Sequence, residues 1–273
     1  MHQRSFDMSL AYEDNDSTVH LPRILCLHGG GTNARIFRMQ CRAFKHHIGR
    51  QFRFVFAQAP FPYKPGPDVT SVYSEYGPFR GWLRPVGEDE DAEACAAEAS
   101  TLIHDSITAA IRADDDLGAT GEVVGILGFS QGARVAASLL YNQQLSQISE
   151  AGAMRWPKFR FAVLLAGRGK LVWLKPEVPM PEGVVRPIQS VGAFPVDMDA
   201  PGWDDLKIRE KLQLPTVHVH GLTDEGLRFH RQLALRYCVP DSSTVIEWQG
   251  EHRVPIKTKD VTPVVEQMLR LAR

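Results

Sequence analysis

From residue 23 to the C-terminus, short uninterrupted apolar runs alternate with longer segments whose apolar positions recur every three or four residues. The first pattern predicts strands buried on both faces, and the second predicts helices with one buried side. On that reading residues 23–27, 52–56, 123–127, 159–166, 215–220 and 244–248 are strands. Helices are expected over 34–48, where Ile36, Met39, Ala43, Phe44 and Ile48 share a face, over 88–113, and after residue 132 along Val135, Ala136, Leu139 and Leu140. Two more follow at 226–237 and 261–271. The helix at 88–113 opens on acidic residues, as a helix N-terminus favours. Strands that alternate with helices imply a mainly parallel sheet covered on both faces, an α/β fold.

Two stretches break the pattern. Residues 61–85 are rich in Pro, Gly and aromatics (Phe61, Tyr63, Tyr73, Tyr76, Phe79, Trp82), too aromatic for a solvated linker, and are expected to form an ordered loop over a pocket. Residues 175–201 carry Pro176, Pro179, Pro181, Pro187, Pro195 and Pro201 and predict an irregular insertion. Residues 1–20 are polar and acidic and read as a flexible arm, which leaves 21–273 as one domain, the usual result for an α/β chain of 273 residues.

Composition narrows the function. Hydrophobic residues at 44% and charged residues at 23% exclude a disordered chain. With 31 Lys and Arg against 32 Asp and Glu, no overall basic field points to nucleic acid or an anionic membrane. No apolar run reaches the roughly 18 residues of a membrane span, and the N-terminus has no signal-peptide pattern, so a soluble protein is expected. Cys26, Cys41, Cys95 and Cys238 fall at unrelated spacings without a CxxC pair. They predict reduced thiols in a cytoplasmic protein rather than a zinc site or disulfide framework.

Gly128-Phe129-Ser130-Gln131-Gly132 matches G-x-S-x-G with the strand before it and the helix after it that this motif requires. A sharp turn there exposes a serine hydroxyl, a weak nucleophile that needs a general base. In this motif's fold the chain order is Ser, acid, His. After the strand at 215–220 comes Gly221-Leu-Thr-Asp224, and after the strand at 244–248 comes Gln249-Gly-Glu-His252. Ser130, Asp224 and His252 are therefore the candidate nucleophile, orienting acid and base. Loops at the C-terminal ends of parallel strands meet, which gives three distant residues a reason to converge. Charge developing on the acyl oxygen needs backbone donors. Gln131, next after the nucleophile, supplies one, and the HGGG run at His28 to Gly31 supplies the other, with Gly30 favoured and Gly31 close behind.

Other residues carry plainer meanings. Glu225, the other acid in the Asp224 loop, reads as a solvated side chain, and His28 and His220 as hydrogen-bonded residues shaping turns. His218 and His220 point the same way on a strand, yet no carboxylate or thiol spacing completes a metal site, so no metal is expected. Gly29-Gly-Gly31 lacks the signatures of a phosphate cradle. Arg80, Arg84, Arg168 and Lys170 read as a solvated basic face.

Together Leu25-Cys-Leu-His-Gly-Gly-Gly31, Gly128-Phe-Ser-Gln-Gly132, the HG-x-x-D of His220 to Asp224, and Gly250-Glu-His-Arg-Val-Pro255 resemble the fungal serine hydrolase (FSH) family of α/β-hydrolases. The resemblance runs from about Pro22 to the C-terminus. Tyr76-Gly-Pro-Phe-Arg-Gly-Trp-Leu83 is similar to members found beside fungal polyketide synthases. It implies an α/β-hydrolase fold, no cofactor, and a thioesterase or esterase that releases or trims a polyketide product, with an acyl carrier protein as candidate partner. Where many relatives carry Gly or Asp before the histidine this chain has Glu251, which could compete for the imidazole. The alternatives are a stand-alone carboxylesterase on small oxygen esters, acyl transfer to an alcohol or amine, and a non-hydrolytic binding protein on the same fold.

Overall fold

The computed structural model describes residues 17–66, 69–146, 156–190 and 208–273. Its elements in chain order are β1 (Arg23–Leu27), α1 (Ala34–Gln40), α2 (Arg42–Ile48), β2 (Arg53–Ala57), β3 (Phe61–Pro62), α3 (Thr70–Tyr73), β4 (Arg80–Gly81), β5 (Arg84–Val86) and α4 (Ala92–Asp116). There follow β6 (Val123–Phe129), α5 (Gln131–Ser146), β7 (Phe161–Leu165), β8 (Ile188–Ser190), β9 (Thr216–Gly221), α6 (Leu227–Gln232), β10 (Ser243–Trp248) and α7 (Thr258–Leu271).

Six strands form one sheet in the order β10-β9-β7-β6-β1-β2, and every neighbouring pair is parallel. Successive side chains of a strand point to opposite faces, so an uninterrupted apolar run feeds two cores. Leu25 and Leu27 join α4 (Ala99, Ile103, Ile107) and α5 (Val135, Ala136, Leu139). Ile24 and Cys26 join α1 and α2 (Phe37, Phe44, Ile48) and α7 (Val261, Val264, Met268). This is an α/β-hydrolase fold. No helix among the described residues is long and apolar enough to cross a membrane.

The expected helix over 34–48 is two helices, because Cys41 leaves helical geometry at φ −81° and ψ 8°. Ile36 and Phe37 before the break and Phe44 and Ile48 after it are all buried, so the chain turns without losing its apolar face. α4 starts at Ala92 rather than residue 88, since the Asp91 side chain caps it by accepting from the Glu93 and Ala94 N–H groups.

The two irregular segments meet. β3 and β4 form a small antiparallel ribbon inside the aromatic stretch, and β5 pairs in parallel with β8 from the proline-rich stretch. Residues 191–201 of the expected insertion, and residues 1–16 of the expected arm, lie outside the described residues. Within the rest of that arm, Thr18 Oγ1 accepts a 2.9 Å hydrogen bond from Arg53 and the Val19 carbonyl accepts from the Thr120 N–H at 2.8 Å, which ties this stretch to the domain.

Candidate active site

The chain leaves β1 toward β2 on one side and later returns through β6 on the other. This reversal falls between β1 and β6, the place where the loops at the C-terminal edge of an open parallel sheet part to either side. Ser130 follows β6 directly, at φ 52°, a left-handed conformation costly for a residue with a Cβ. Its N–H donates to the Leu165 carbonyl at 2.9 Å, which holds the turn. The flanking glycines leave no room for a side chain. A Cβ on Gly128 would stand 2.5 Å from the Gly132 carbonyl oxygen, and one on Gly132 would stand 2.1 Å from that of Leu27.

Asp224 lies in the loop after β9 and His252 in the loop after β10. Asp224 Oδ1 accepts from the Gly226 N–H at 2.8 Å, and Oδ2 is 2.7 Å from His252 Nδ1. His252 Nε2 is 2.9 Å from Ser130 Oγ. A carboxylate can only accept, so Nδ1 carries the proton of a neutral imidazole and Nε2 is left to accept from the serine hydroxyl. The Phe129 ring supports His252 from 5.1 Å between centroids. Burial alone would push the Asp224 carboxyl up, but the hydrogen bond from His252, the neighbouring imidazoles and the Gly226 N–H outweigh it and hold the pKa below the usual carboxylate range. The structure thus brings the three predicted residues into one hydrogen-bonded line, its carboxylate end buried and its serine end reaching solvent.

The candidate backbone donors for an acyl oxygen, Gln131 and either Gly30 or Gly31, do not stand alike. The Gly31 N–H donates to the Arg80 carbonyl at 3.0 Å and is therefore committed elsewhere, which corrects the expectation that it could serve. Gly31 is instead the left-handed hinge of the loop, at φ 74°. The N–H groups of Gly30 and Gln131 make no hydrogen bond among the described residues. The aromatic segment braces these donors. The Gln131 side-chain oxygen accepts from the Trp82 N–H at 2.6 Å, and the Trp82 indole donates to the His28 carbonyl at 2.9 Å. Gln131 Nε2 also donates to the Tyr63 hydroxyl at 3.2 Å.

The model of the family described as Serine hydrolase (FSH1) matches residues 18–264, which enclose all of these groups. The chain belongs to that family. Esterase dbaE of Emericella nidulans is 54% identical over 264 residues, covering 96% of this chain and 94% of its own. Esterase pigG of Monascus ruber is 51% identical over 262 residues, with 94% of each covered. A crystal structure of esterase PE8 aligns with 92% of this chain and 93% of its own at 16% identity and a TM-score of 0.49. The protein is a serine hydrolase.

Around this hydrolase's line of three, the remaining candidates find other places. His28 is fully buried, and because its Nε2 accepts from the Ala59 N–H at 3.0 Å, its Nδ1–H faces the Gly29 carbonyl at 2.8 Å. Burial lowers its pKa to about 4, so it is a neutral brace of the loop. Glu225 is exposed, and Glu251 faces Arg253 at 4.0 Å rather than the His252 ring. Arg84 pairs with Glu90 and Glu98, and Arg80 donates to the Pro60 carbonyl. His218 bonds Thr216 Oγ1 at 3.1 Å. The potential metal ligands that the described residues do group are Asp224, His230 and His252, two of them already hydrogen-bonded to each other. His230 carries no sequence motif. It falls in the middle of a predicted helix, and only the fold turns it toward Asp224.

Proposed function

We propose that this serine hydrolase cleaves an acyl thioester or oxygen ester through an acyl-enzyme on Ser130, and that its acyl group is a polyketide-type chain. The observation that carries the reading is the pair of contacts at His252, 2.9 Å to Ser130 Oγ and 2.7 Å to Asp224 Oδ2. His252 Nε2 takes the hydroxyl proton as Oγ bonds the acyl carbon, and Asp224 holds the resulting imidazolium in place. The oxyanion is met by the N–H groups of Gly30 and Gln131. Collapse breaks the bond to the leaving thiol or alcohol, which receives the proton from His252. Water then repeats the sequence, releasing the acid and restoring Ser130.

The polyketide-type acyl group and a carrier-protein partner are supported by the resemblance of Tyr76 to Leu83 to members beside polyketide synthases. Buried free thiols at all four cysteines suit a reducing, cytoplasmic setting. A stand-alone carboxylesterase is the second reading, favoured by relatives named simply as esterases. The experiment compares kcat/KM for one acyl group offered as a carrier-protein thioester, a pantetheine thioester and a simple oxygen ester, with Ser130→Ala as blank. Preference for the carrier-bound form supports product release from a synthase. Equal or faster cleavage of the oxygen ester supports the carboxylesterase.

A further inference from the structure

His230 is fully buried in α6, and neither of its ring nitrogens has a hydrogen-bond partner among the described residues. Its Nε2 lies 3.6 Å from Asp224 Oδ2, the oxygen that accepts from His252 Nδ1. A neutral imidazole always carries one N–H, and a buried donor without an acceptor is destabilising. Asp224 Oδ2 is an acceptor that a small ring rotation brings to hydrogen-bond length. The absence of a side chain at residue 226 keeps the approach open, since a Cβ there would stand 3.1 Å from His230 Nε2, 3.2 Å from Asp224 Oδ1 and 3.1 Å from an Arg168 guanidinium nitrogen.

The charged and titratable groups around His230 come from four sides. Asp224 and His252 face it from the loops after β9 and β10, with the His252 ring centroid 5.9 Å away. His220 on β9 is at 5.6 Å, and beyond it Glu247 on β10 stands 3.9 Å from His220 Nδ1 and pairs with Arg231. Arg168, after β7, contributes a positive charge. Burial lowers the His230 pKa to about 3 against the attraction of Asp224, so near neutral pH the ring acts as an uncharged donor.

We propose that His230 is a positioning residue for the proton transfer: a small rotation of its ring brings an N–H onto Asp224 Oδ2, which it then shares with His252, and this weakens the carboxylate's hold on the imidazolium that His252 becomes. This rests on the reading of His252 as general base. Without the second donor, Asp224 serves His252 alone and favours its protonated form, so the base works only at higher pH.

The test is the pH dependence of kcat/KM on a simple oxygen ester for the parent, His230→Phe, which removes the donor, and His230→Gln, which restores an N–H. The acid limb of the Phe variant should move up by about 0.5–1 pH unit, a threefold to tenfold loss on that limb, with recovery at high pH. The Gln variant should stay near the parent. The His252 ring proton resonance, titrated by NMR, should show the same order without turnover. If His230→Phe does not fold, His230→Met carries the same expectation. An acid limb that does not move in the donor-free variant, or moves equally with Gln, overturns the proposal. Full activity of His252→Ala would instead overturn the general-base reading beneath it.

Discussion

The side-chain oxygen of Gln131 accepts a 2.6 Å hydrogen bond from the Trp82 N–H, so the residue that follows Ser130 also anchors the aromatic segment. Gln131→Met keeps the backbone N–H but strands that buried donor, at a cost of about 1–3 kcal/mol in stability. Because the same segment holds the HGGG loop through the Trp82 indole and the His28 carbonyl, kcat should fall more than KM rises. Gln131→Glu keeps an acceptor for Trp82 and should lose less. Equal, unimpaired kcat in both variants would show that the anchor is irrelevant to turnover.

Gly132→Ala forces a Cβ to within 2.1 Å of the Leu27 carbonyl oxygen, where strand and helix backbones meet. Backbone cannot yield as a flexible side chain does. The expected loss is about 3 kcal/mol or more, or roughly 6–12 °C in Tm, read by thermal unfolding. A variant with parent Tm would mean that the turn is looser than described.

Much of this was legible from the chain alone, for reasons that are local. The turn around Ser130 needs small residues on both sides and a buried strand before it, and all three appear within ten residues of one another in sequence. The loops holding Asp224 and His252 follow apolar strand runs, and parallel strands deliver their C-terminal ends to one edge. What remained hidden depends on contacts between distant segments. The break at Cys41 preserves burial of Phe37 and Phe44 together, β5 finds its partner β8 about a hundred residues away, and His230 meets Asp224 only once α6 packs on the sheet. Gly30 and Gly31 are indistinguishable by type. They separate only because the Arg80 carbonyl takes the Gly31 N–H.

Asp114 bridges Arg53 at 2.7 Å and Arg23 at 3.4 Å, joining the end of α4 to the starts of β1 and β2 with all three side chains largely buried. Asp114→Ala leaves two buried cations without this partner and should cost about 3–5 kcal/mol in urea unfolding. Asp115 is 47% exposed although it also touches Arg23, and Asp115→Ala should cost less than about 1 kcal/mol. Similar losses for both would contradict the importance of burial here.

Acid should destabilise the fold early. Burial lowers His28 and His220 to about 4 and His218 and His230 to about 3, below the ordinary 6.5 that each regains on unfolding. The unfolded chain therefore binds more protons between those values, so stability is complete above about 6.5 and falls as the pH drops toward the folded values, each ring adding a slope of up to about 1.4 kcal/mol per pH unit. The Tm should be level from about pH 8 to 7 and fall steadily to pH 5. A level Tm across that whole range would mean that these rings are not held neutral.

Nucleophilic attack by Ser130 is tested most directly by intact-mass spectrometry on protein mixed with an excess of a p-nitrophenyl ester and quenched in acid during turnover. The account predicts one added acyl group in place of one hydrogen, located on the peptide carrying Ser130 and missing from Ser130→Ala, which should also lose turnover. Unmodified protein together with undiminished hydrolysis by Ser130→Ala would contradict it.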